Sequence, residues 1–306
     1  VFKIDMNGNV LWMKTYNSFI EVSDMQKIVD NGFMLVGKTG LKAWIMKIDQ
    51  DGNIEWEKSF KYGASSMLMT IAPNEVGGVV AGQIFMDPSM PPILILINFA
   101  YNGQIIWQKQ YSYLGGNEGP EPLDIIRTTD AGYVVLGRNT VFDTLTFSTS
   151  MKPWIMKIDY YGNLLWTKLY DNTWGGIEFF YSIQQTQDKG YIASGEAVVQ
   201  YGSAWIVKLD HSGNIVWEKI LSDPNPEDVR GLWDIKELPN GEIHAIGTYV
   251  DNPPVSPSGG IHYVWEVKLA DPRSSIGCLV EVSPQTLIQQ ISFDVSDLNI
   301  TPEPLS

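Results

Sequence analysis

Three segments of the chain are nearly identical in sequence and lie about 50 residues apart. They read WIMKIDQDGNIEWEK from Trp44, WIMKIDYYGNLLWTK from Trp154 and WIVKLDHSGNIVWEK from Trp205. Weaker copies end at Trp12 and at Trp107, and the latter has one extra residue and starts with asparagine instead of aspartate. A repeat of this length is one supersecondary unit that buries its apolar face against neighbouring units.

Each unit contains two predicted β-hairpins. WIMKID and NIEWEKSF both alternate apolar with other residues, which indicates strands, and the DxxGN segment between them is typical of a hairpin turn. A second signature, as in VDNGFMLVG, TDAGYVVLG and QDKGYIASG, predicts another hairpin. We name the four strands a, b, c and d in chain order. Repeated four-stranded antiparallel units predict an all-β fold, a β-propeller, over a stacked solenoid.

The repeat divides the chain into units that we equate with blades. They are 1–43, 44–92, 93–153, 154–204, 205–264 and a degenerate sixth unit at 265–295, followed by a tail or linker at 296–306. Trp265–Leu269 is expected to be an a-strand, with Cys278–Ser283 and Gln290–Val295 as further strands of the same sheet. The a-strand pattern would start one residue before Val1, so a preceding d-strand is expected, either upstream or from elsewhere. Six blades are predicted, and seven remain open.

One tryptophan closes each copy of the first hairpin. A four-stranded sheet cannot bury both faces alone, so we expect these side chains to dock one blade against the next and to lie in the core. They are Trp12, Trp56, Trp107, Trp166 and Trp217.

The hairpin KIDMNGNVLWMK at 3–14 resembles the repeats of quinoprotein-like propellers. The pairing of WIMKIDxxGNxxWxK with TxDxGYxxxG is similar to repeats of secreted or cell-surface β-propeller proteins of archaea and bacteria. SSIGCLVEVS at 274–283 and FDVSDLNITPE at 293–303 resemble the closing segment of such proteins. The resemblance implies an extracellular or cell-surface location and supplies no catalytic residues.

Charge and composition exclude several partner classes. The net charge is −14 and only four residues are arginine, which argues against nucleic acid and anionic membranes as partners. No apolar run approaches the length of about 18–20 residues that spans a bilayer. The single cysteine cannot form an internal disulfide. The NIT sequence makes Asn299 a glycosylation candidate if the protein is exported.

Function is expected on the face of the fold that carries the long b–c and d–a connections, because these loops vary in length and sequence while the a–b and c–d turns are short. Aromatic and acidic side chains in or beside these loops suit a carbohydrate or a peptide. The candidate binding residues are Tyr113, Glu118, Asp143, Phe147, Trp174, Tyr201 and Tyr263.

The residues favour a non-enzymatic protein that acts in adhesion or binding. An alternative is a structural subunit of a surface layer or filament that associates with itself through blade edges and termini. A quinoprotein-like enzyme is the third possibility, with no cofactor motif to support it. DQDGN at 49–53 is similar to the start of a calcium loop, but Phe60 stands where the glutamate ligand belongs. We therefore predict a turn there and no cofactor, and structural calcium in the acidic loops remains open.

Overall fold

The computed structural model describes residues 1–16, 19–113, 119–143, 148–172, 178–198, 202–222, 229–251, 261–269, 280–282, 286–290, 293–298 and 303–304. These residues form β-strands and turns, and the sheets are antiparallel throughout. The all-β prediction is confirmed at this level, and the arrangement is propeller-like.

Six sheets follow one another along the chain. Sheet 1 contains β1 (Phe2–Ile4) and β2 (Val10–Met13). Sheet 2 contains β3 (Ile20–Lys27), β4 (Phe33–Thr39), β5 (Lys42–Ile48) and β6 (Ile54–Phe60). Sheet 3 contains β7 (Ser65–Pro73), β8 (Gly77–Phe85), β9 (Ile93–Ala100) and β10 (Ile105–Tyr113). Sheet 4 contains β11 (Glu121–Arg127), β12 (Tyr133–Asp143), β13 (Ser148–Ile158) and β14 (Leu164–Asn172). Sheet 5 contains β15 (Glu178–Gln185), β16 (Tyr191–Val198), β17 (Gly202–Leu209) and β18 (Ile215–Ser222). Sheet 6 contains β19 (Val229–Glu237), β20 (Ile243–Asp251) and β21 (Ile261–Leu269).

The boundaries of the hydrogen-bonded sheets differ from those of the units predicted from the sequence. In sheets 2 to 5 the strand order is c, d, a, b, so each sheet joins the second hairpin of one unit to the first hairpin of the next. The unit 44–92, for example, combines β5 and β6 of sheet 2 with β7 and β8 of sheet 3. A periodic sequence shows its period but does not show which neighbouring hairpins share hydrogen bonds.

The a–b hairpin of sheet 3, formed by β9 and β10, shows that the sequence alignment of the repeat is wrong at one position. Its turn begins at Ala100, whose N–H donates to the Gln104 carbonyl, as Asp49 donates to Asn53 in sheet 2. Ala100 thus replaces the turn aspartate without an insertion. Asn98, which the sequence alignment placed at the turn, lies two residues earlier within β9 and is buried.

The C-terminal residues that the structure describes do not build a sheet of their own. They contain β22 (Val280–Val282), β23 (Thr286–Gln290), β24 (Phe293–Asp297) and β25 (Glu303–Pro304), which we call the C-terminal strap. These strands pair in turn with the outer strands of sheets 5, 4, 3 and 2. The expectation that 278–283 and 290–295 share the sheet of β21 is therefore wrong, and β25 lies within the segment expected to be a tail. An outer strand offers unpaired backbone groups, and the strap covers four such edges.

Leu298, which directly follows β24, holds the strap against the core. This residue is 2% exposed and packs in the apolar core between sheets 2 and 3. Its N–H donates to the Gln108 carbonyl at 3.1 Å. One residue pair nearby, Gln110 and Ser296, is joined by a side-chain hydrogen bond of 2.8 Å. The strap thus adds core contacts as well as backbone pairing.

Apolar side chains fill the space between consecutive sheets. Five clusters of buried residues lie between sheets 1 and 2, 2 and 3, 3 and 4, 4 and 5, and 5 and 6. The a-strand residues Trp44, Trp154 and Trp205 are fully enclosed in this core. The tryptophans that close the first hairpins, which we call the docking tryptophans, are half-buried and pack against one cluster each; they are Trp12, Trp56, Trp107, Trp166 and Trp217.

A docking tryptophan contacts the a–b turn of the following sheet. The Trp56 indole N–H donates to the Tyr101 carbonyl at 2.7 Å, and that of Trp107 donates to the Tyr160 carbonyl at 3.0 Å. The Trp12 indole makes the same bond across sheets 1 and 2, to the Gln50 carbonyl at 3.1 Å. The repeated hairpin is therefore an inter-sheet joint: its tryptophan projects forward, and its turn receives the tryptophan of the preceding sheet.

Lysine and aspartate recur at fixed positions of the two signatures because they form an ion pair. Within one sheet, the a-strand lysine pairs with the aspartate of the c–d turn, as Lys157 does with Asp130 at 2.7 Å and Lys208 with Asp188 at 2.8 Å. Although partial burial opposes it, hydrogen bonding to lysine and threonine lowers the pKa of both aspartates to about 2. These ion pairs connect the c–d turn to the a-strand of the same sheet.

The docking contact can be tested at the glycine beneath the indole. Gly162 and Gly8 occupy the same position of the a–b turn, with φ of +78° and +84°. A Cβ at Gly162 would lie 3.0 Å from the Trp107 ring, whereas a Cβ at Gly8 would meet nothing within 4 Å. Both Gly→Ala changes should cost about 1–2 kcal/mol for the left-handed backbone, and G162A roughly 1–3 kcal/mol more for the steric conflict. Urea unfolding measures both; equal losses would contradict the docking geometry.

Candidate functional site

The c-strands β3, β7, β11, β15 and β19, which we call the inner strands, each carry a β-bulge at the same place. The pairing of the inner strand with its neighbour shifts register across one extra residue in all five sheets that have an inner strand. The extra residues are Ser23, Met69, Leu123, Tyr181 and Trp233, and the residues that follow them are Asp24, Thr70, Asp124, Ser182 and Asp234. All ten line one cavity of about 290 Å³, which we call the axial cavity. Bulges re-aim side chains and are frequent beside functional sites.

The residues after the bulges alternate between carboxylates and hydroxyls and link neighbouring sheets. Asp24 accepts the Thr70 hydroxyl at 3.2 Å and the Ile71 N–H at 3.0 Å. Asp124 accepts the Ile183 N–H at 3.0 Å, which joins sheet 4 to sheet 5. The carboxylates of the axial cavity therefore hold adjacent inner strands together.

The Asp124 carboxyl group in this cavity has a raised pKa. Burial is the main cause that raises its pKa, to about 7, and the nearby carboxylates of Asp24 and Asp234 raise it further. Hydrogen bonds from two backbone N–H groups oppose the shift. Near neutral pH the Asp124 carboxyl group is therefore partly protonated.

Three aromatic side chains from sheets 5 and 6 form a row beside the axial cavity. The rings of Phe179 and Tyr181 stack with centroids 5.7 Å apart, and those of Tyr181 and Trp233 lie 4.3 Å apart. We call these three residues the aromatic row. Trp233 is 48% exposed, and its indole N–H donates to the Thr248 hydroxyl at 2.9 Å, which fixes the orientation of the ring.

Polar groups border the aromatic row. The Arg138 guanidinium lies 5.2 Å from the centre of the Phe179 ring and is paired with Glu121 through a 2.7 Å hydrogen bond. The Tyr181 hydroxyl donates to Glu196 at 3.4 Å. Burial raises the pKa of Glu196. The row thus combines apolar ring surface with carboxylates that can accept hydrogen bonds.

A second concavity adjoins the row at Glu121. It has a volume of about 550 Å³ and lies between sheets 3 and 4. The d–a loop after β8 supplies much of its wall, including Pro88, Met90 and Pro92, and Glu121 supplies part of the opposite side. We call it the proline cleft. The cleft and the row both lie at the end of the sheets where the inner strands begin and the long loops connect.

Few of the binding residues proposed from the sequence can be placed. Tyr113 ends β10 and is half-buried against the core between sheets 3 and 4. Tyr263, on β21, is 44% exposed. Neither lines the axial cavity or the proline cleft. Asp143 is the last residue of β12, and its side chain lies outside the described part. Also outside the described residues are Glu118, Phe147, Trp174, Tyr201 and the glycosylation candidate Asn299.

The aromatic residues that do come together were not singled out by sequence. Tyr181 and Trp233 stand in c-strands, at the positions before Ser182 and Asp234. Aligning the c-strands as VSDM, LMTI, PLDI, FYSI and LWDI places them in one column. That alignment could have shown that Tyr181 and Trp233 are equivalent positions. It could not have shown the bulges that direct these positions into the axial cavity.

The carboxylates of the a–b turn aspartates accept hydrogen bonds from residues of the same turn. In Asp49, one carboxylate oxygen accepts the N–H groups of Asp51 and Asn53, and the other accepts the Asn53 side-chain amide at 2.8 Å. The described residues contain no group of three or more His, Cys, Asp or Glu side chains placed to hold a metal ion. They also contain no helix of the length and apolarity that crossing a membrane requires.

Comparisons with known proteins show distant likeness in fold only. No protein family model matches the chain, and no curated protein matches it. Among solved structures, a protein of unknown function from Bacteroides caccae is 13% identical, with a TM-score of 0.46 over 78% of this chain and 75% of that one. Drosophila Semaphorin 1b, extracellular domains 1–2, is 9% identical, with a TM-score of 0.41 over 89% of this chain and 73% of that one. Similarity at this level carries no argument about function.

The raised pKa of Asp124 predicts a pH dependence of stability. Because the folded protein binds this proton more tightly than the unfolded chain, the contribution is full below about pH 4 and is lost as the pH rises through about 7. In D124N this loss should disappear, a difference in slope of up to about 1.4 kcal/mol per pH unit. Urea unfolding between pH 4 and 8 measures it, with D51N on the surface as the control. Parallel curves for D124N and the unaltered protein would show that the carboxyl is not buried as described.

Proposed function

We propose that this protein is a non-enzymatic, extracellular binding module that acts in cell-surface adhesion and holds carbohydrate along the aromatic row. In this proposal the sheets are blades of a six-bladed propeller, and the ligand lies at the end that carries the long loops. The observation that carries the proposal is the row itself, in which three aromatic rings from adjacent sheets lie in contact beside carboxylates.

Ring faces and carboxylates together suit a sugar. The apolar face of a pyranose packs on an aromatic ring, and its hydroxyl groups donate to carboxylates at the margin. Trp233 offers a large exposed ring surface, and its bond to Thr248 holds the ring in place before a ligand arrives. A side chain that is already ordered loses little conformational entropy on binding.

The carboxylates of the axial cavity favour binding over catalysis. Asp24 and Asp124 each accept a backbone N–H from the next inner strand, so their hydrogen-bonding capacity serves the junction between sheets. The cell-surface part of the proposal rests on the resemblance of the repeats and on the acidic net charge of −14.

An array of purified glycans tests the proposal. The unaltered protein should bind a subset of glycans, and W233A should weaken binding at least tenfold, or about 1.4 kcal/mol. Y161A is the matched control, because Tyr161 is 67% exposed in an a–b turn outside the candidate site. Trp233 is itself half-exposed, so its removal should leave the fold intact, which circular dichroism checks. Equal binding by W233A, or no glycan bound at all, would overturn the proposal.

A further inference from the structure

The aromatic row and the proline cleft are joined by a pair of charged side chains. Glu121 lines the cleft and binds Arg138 at 2.7 Å. Arg138 in turn lies over Phe179, the first ring of the row, at 5.2 Å. Glu121 shares the lining of the cleft with the loop at 88–92, and pairwise contacts lead from Glu121 through Arg138, Phe179 and Tyr181 to Trp233. We call this surface the rim groove, and it receives residues from sheets 3, 4, 5 and 6.

We infer that the rim groove binds an extended, uncharged polysaccharide chain, with one part of the chain on the aromatic row and another in the proline cleft. This inference rests on the proposed function and names the class of its ligand. A single sugar could occupy only one of the two parts. Contacts made in both parts by one chain reinforce each other, because binding in the first raises the effective concentration at the second.

The walls of the proline cleft support binding of an apolar sugar face. Pro88, Pro91 and Pro92 give a stiff backbone to the loop that forms one wall. Met90 lies among them and is 60% exposed. The Gln83 side chain in the cleft donates to the Pro120 carbonyl at 2.9 Å, so this buried amide is already satisfied by the protein. The cleft thus offers exposed apolar surface without an unpaired amide at Gln83.

The charges along the rim groove argue against an acidic ligand. Arg138 is the cation that lies over the row, and Glu121 already neutralises it. Among the described residues that line the proline cleft and the axial cavity, none is lysine or arginine, whereas Glu121, Asp124 and Asp234 are acidic. A carboxylated or sulfated glycan would meet like charge here. An uncharged chain avoids this repulsion.

Oligosaccharides of different length provide the test. Isothermal titration would compare cellohexaose, laminarihexaose and mannohexaose with their disaccharides, and hexagalacturonate would serve as the acidic control. At least one neutral hexasaccharide should bind tenfold or more tightly than its disaccharide, and hexagalacturonate should bind more weakly than that hexasaccharide.

Two variants locate the parts of the chain. M90D should lower the affinity for the hexasaccharide about tenfold and leave the disaccharide unchanged, whereas W233A should lower both. M6D is the control, because Met6 lies fully exposed in the turn of sheet 1. All three sites are exposed, and an unchanged melting temperature confirms folding.

The outcomes separate the two proposals. If W233A abolishes binding but chain length and M90D have no effect, the extended groove is wrong and the proposed function stands. If hexagalacturonate binds as tightly as the neutral chains, the preference for an uncharged ligand is wrong. If none of the neutral sugars binds while a peptide library does, both the groove ligand and the carbohydrate-binding function are overturned.

Discussion

The fold depends on one repeated contact, the docking of a tryptophan on the a–b turn of the following sheet. The indole N–H bonds to a backbone carbonyl of that turn, and the turn glycine leaves room for the ring. A neighbouring tyrosine repeats the link, as Tyr111 does with the Gly162 carbonyl at 2.6 Å. The a–b hairpins of sheets 2 and 3 both supply and receive this contact, so sheets with different loops can be joined in the same way. The ring faces also extend the apolar core to the edge of each interface.

The functional surface follows from that stacking. Sheets held in one orientation bring their inner strands side by side, so equivalent bulges converge on a single axial cavity. Tyr181 and Trp233 occupy the same position in two adjacent strands, and only the stacking places their rings 4.3 Å apart. The hydroxyl of Ser182 and the carboxylate of Asp234 reinforce that junction at 2.8 Å. Binding at the rim groove would therefore use side chains whose positions are set by the joints between sheets.

Sequence reasoning predicted local structure better than the relations between strands. Strands and turns could be predicted because alternating apolar residues and the DxxGN turns act over a few residues. The grouping of strands into sheets could not be predicted, since a repeat has no marked starting point. The a–b turn of sheet 3 was misplaced because Ala100 stands where the other copies have aspartate. Strands were expected at 278–283 and 290–295, but their pairing was not, because it depends on outer edges supplied by distant sheets. β25 was missed because a two-residue strand carries little pattern. Of the candidate site, only the end of the fold with long loops was anticipated. Trp233 and Tyr181 were missed because a bulge and a neighbouring sheet bring them together.

The central structural claim is the order of the sheets and the reverse path of the C-terminal strap along their outer edges. Disulfide trapping tests it most directly in a chain whose Cys278 is replaced by serine. Ser112 and Asp294 are cross-strand partners of β10 and β24, whereas Leu287 pairs with Asp171 of sheet 4. Cysteines at 112 and 294 should form a disulfide within one chain under mild oxidation, because antiparallel partners lie within disulfide reach. Cysteines at 112 and 287 should remain reduced. A disulfide between 112 and 287, or none between 112 and 294, would contradict the arrangement of strap and sheets.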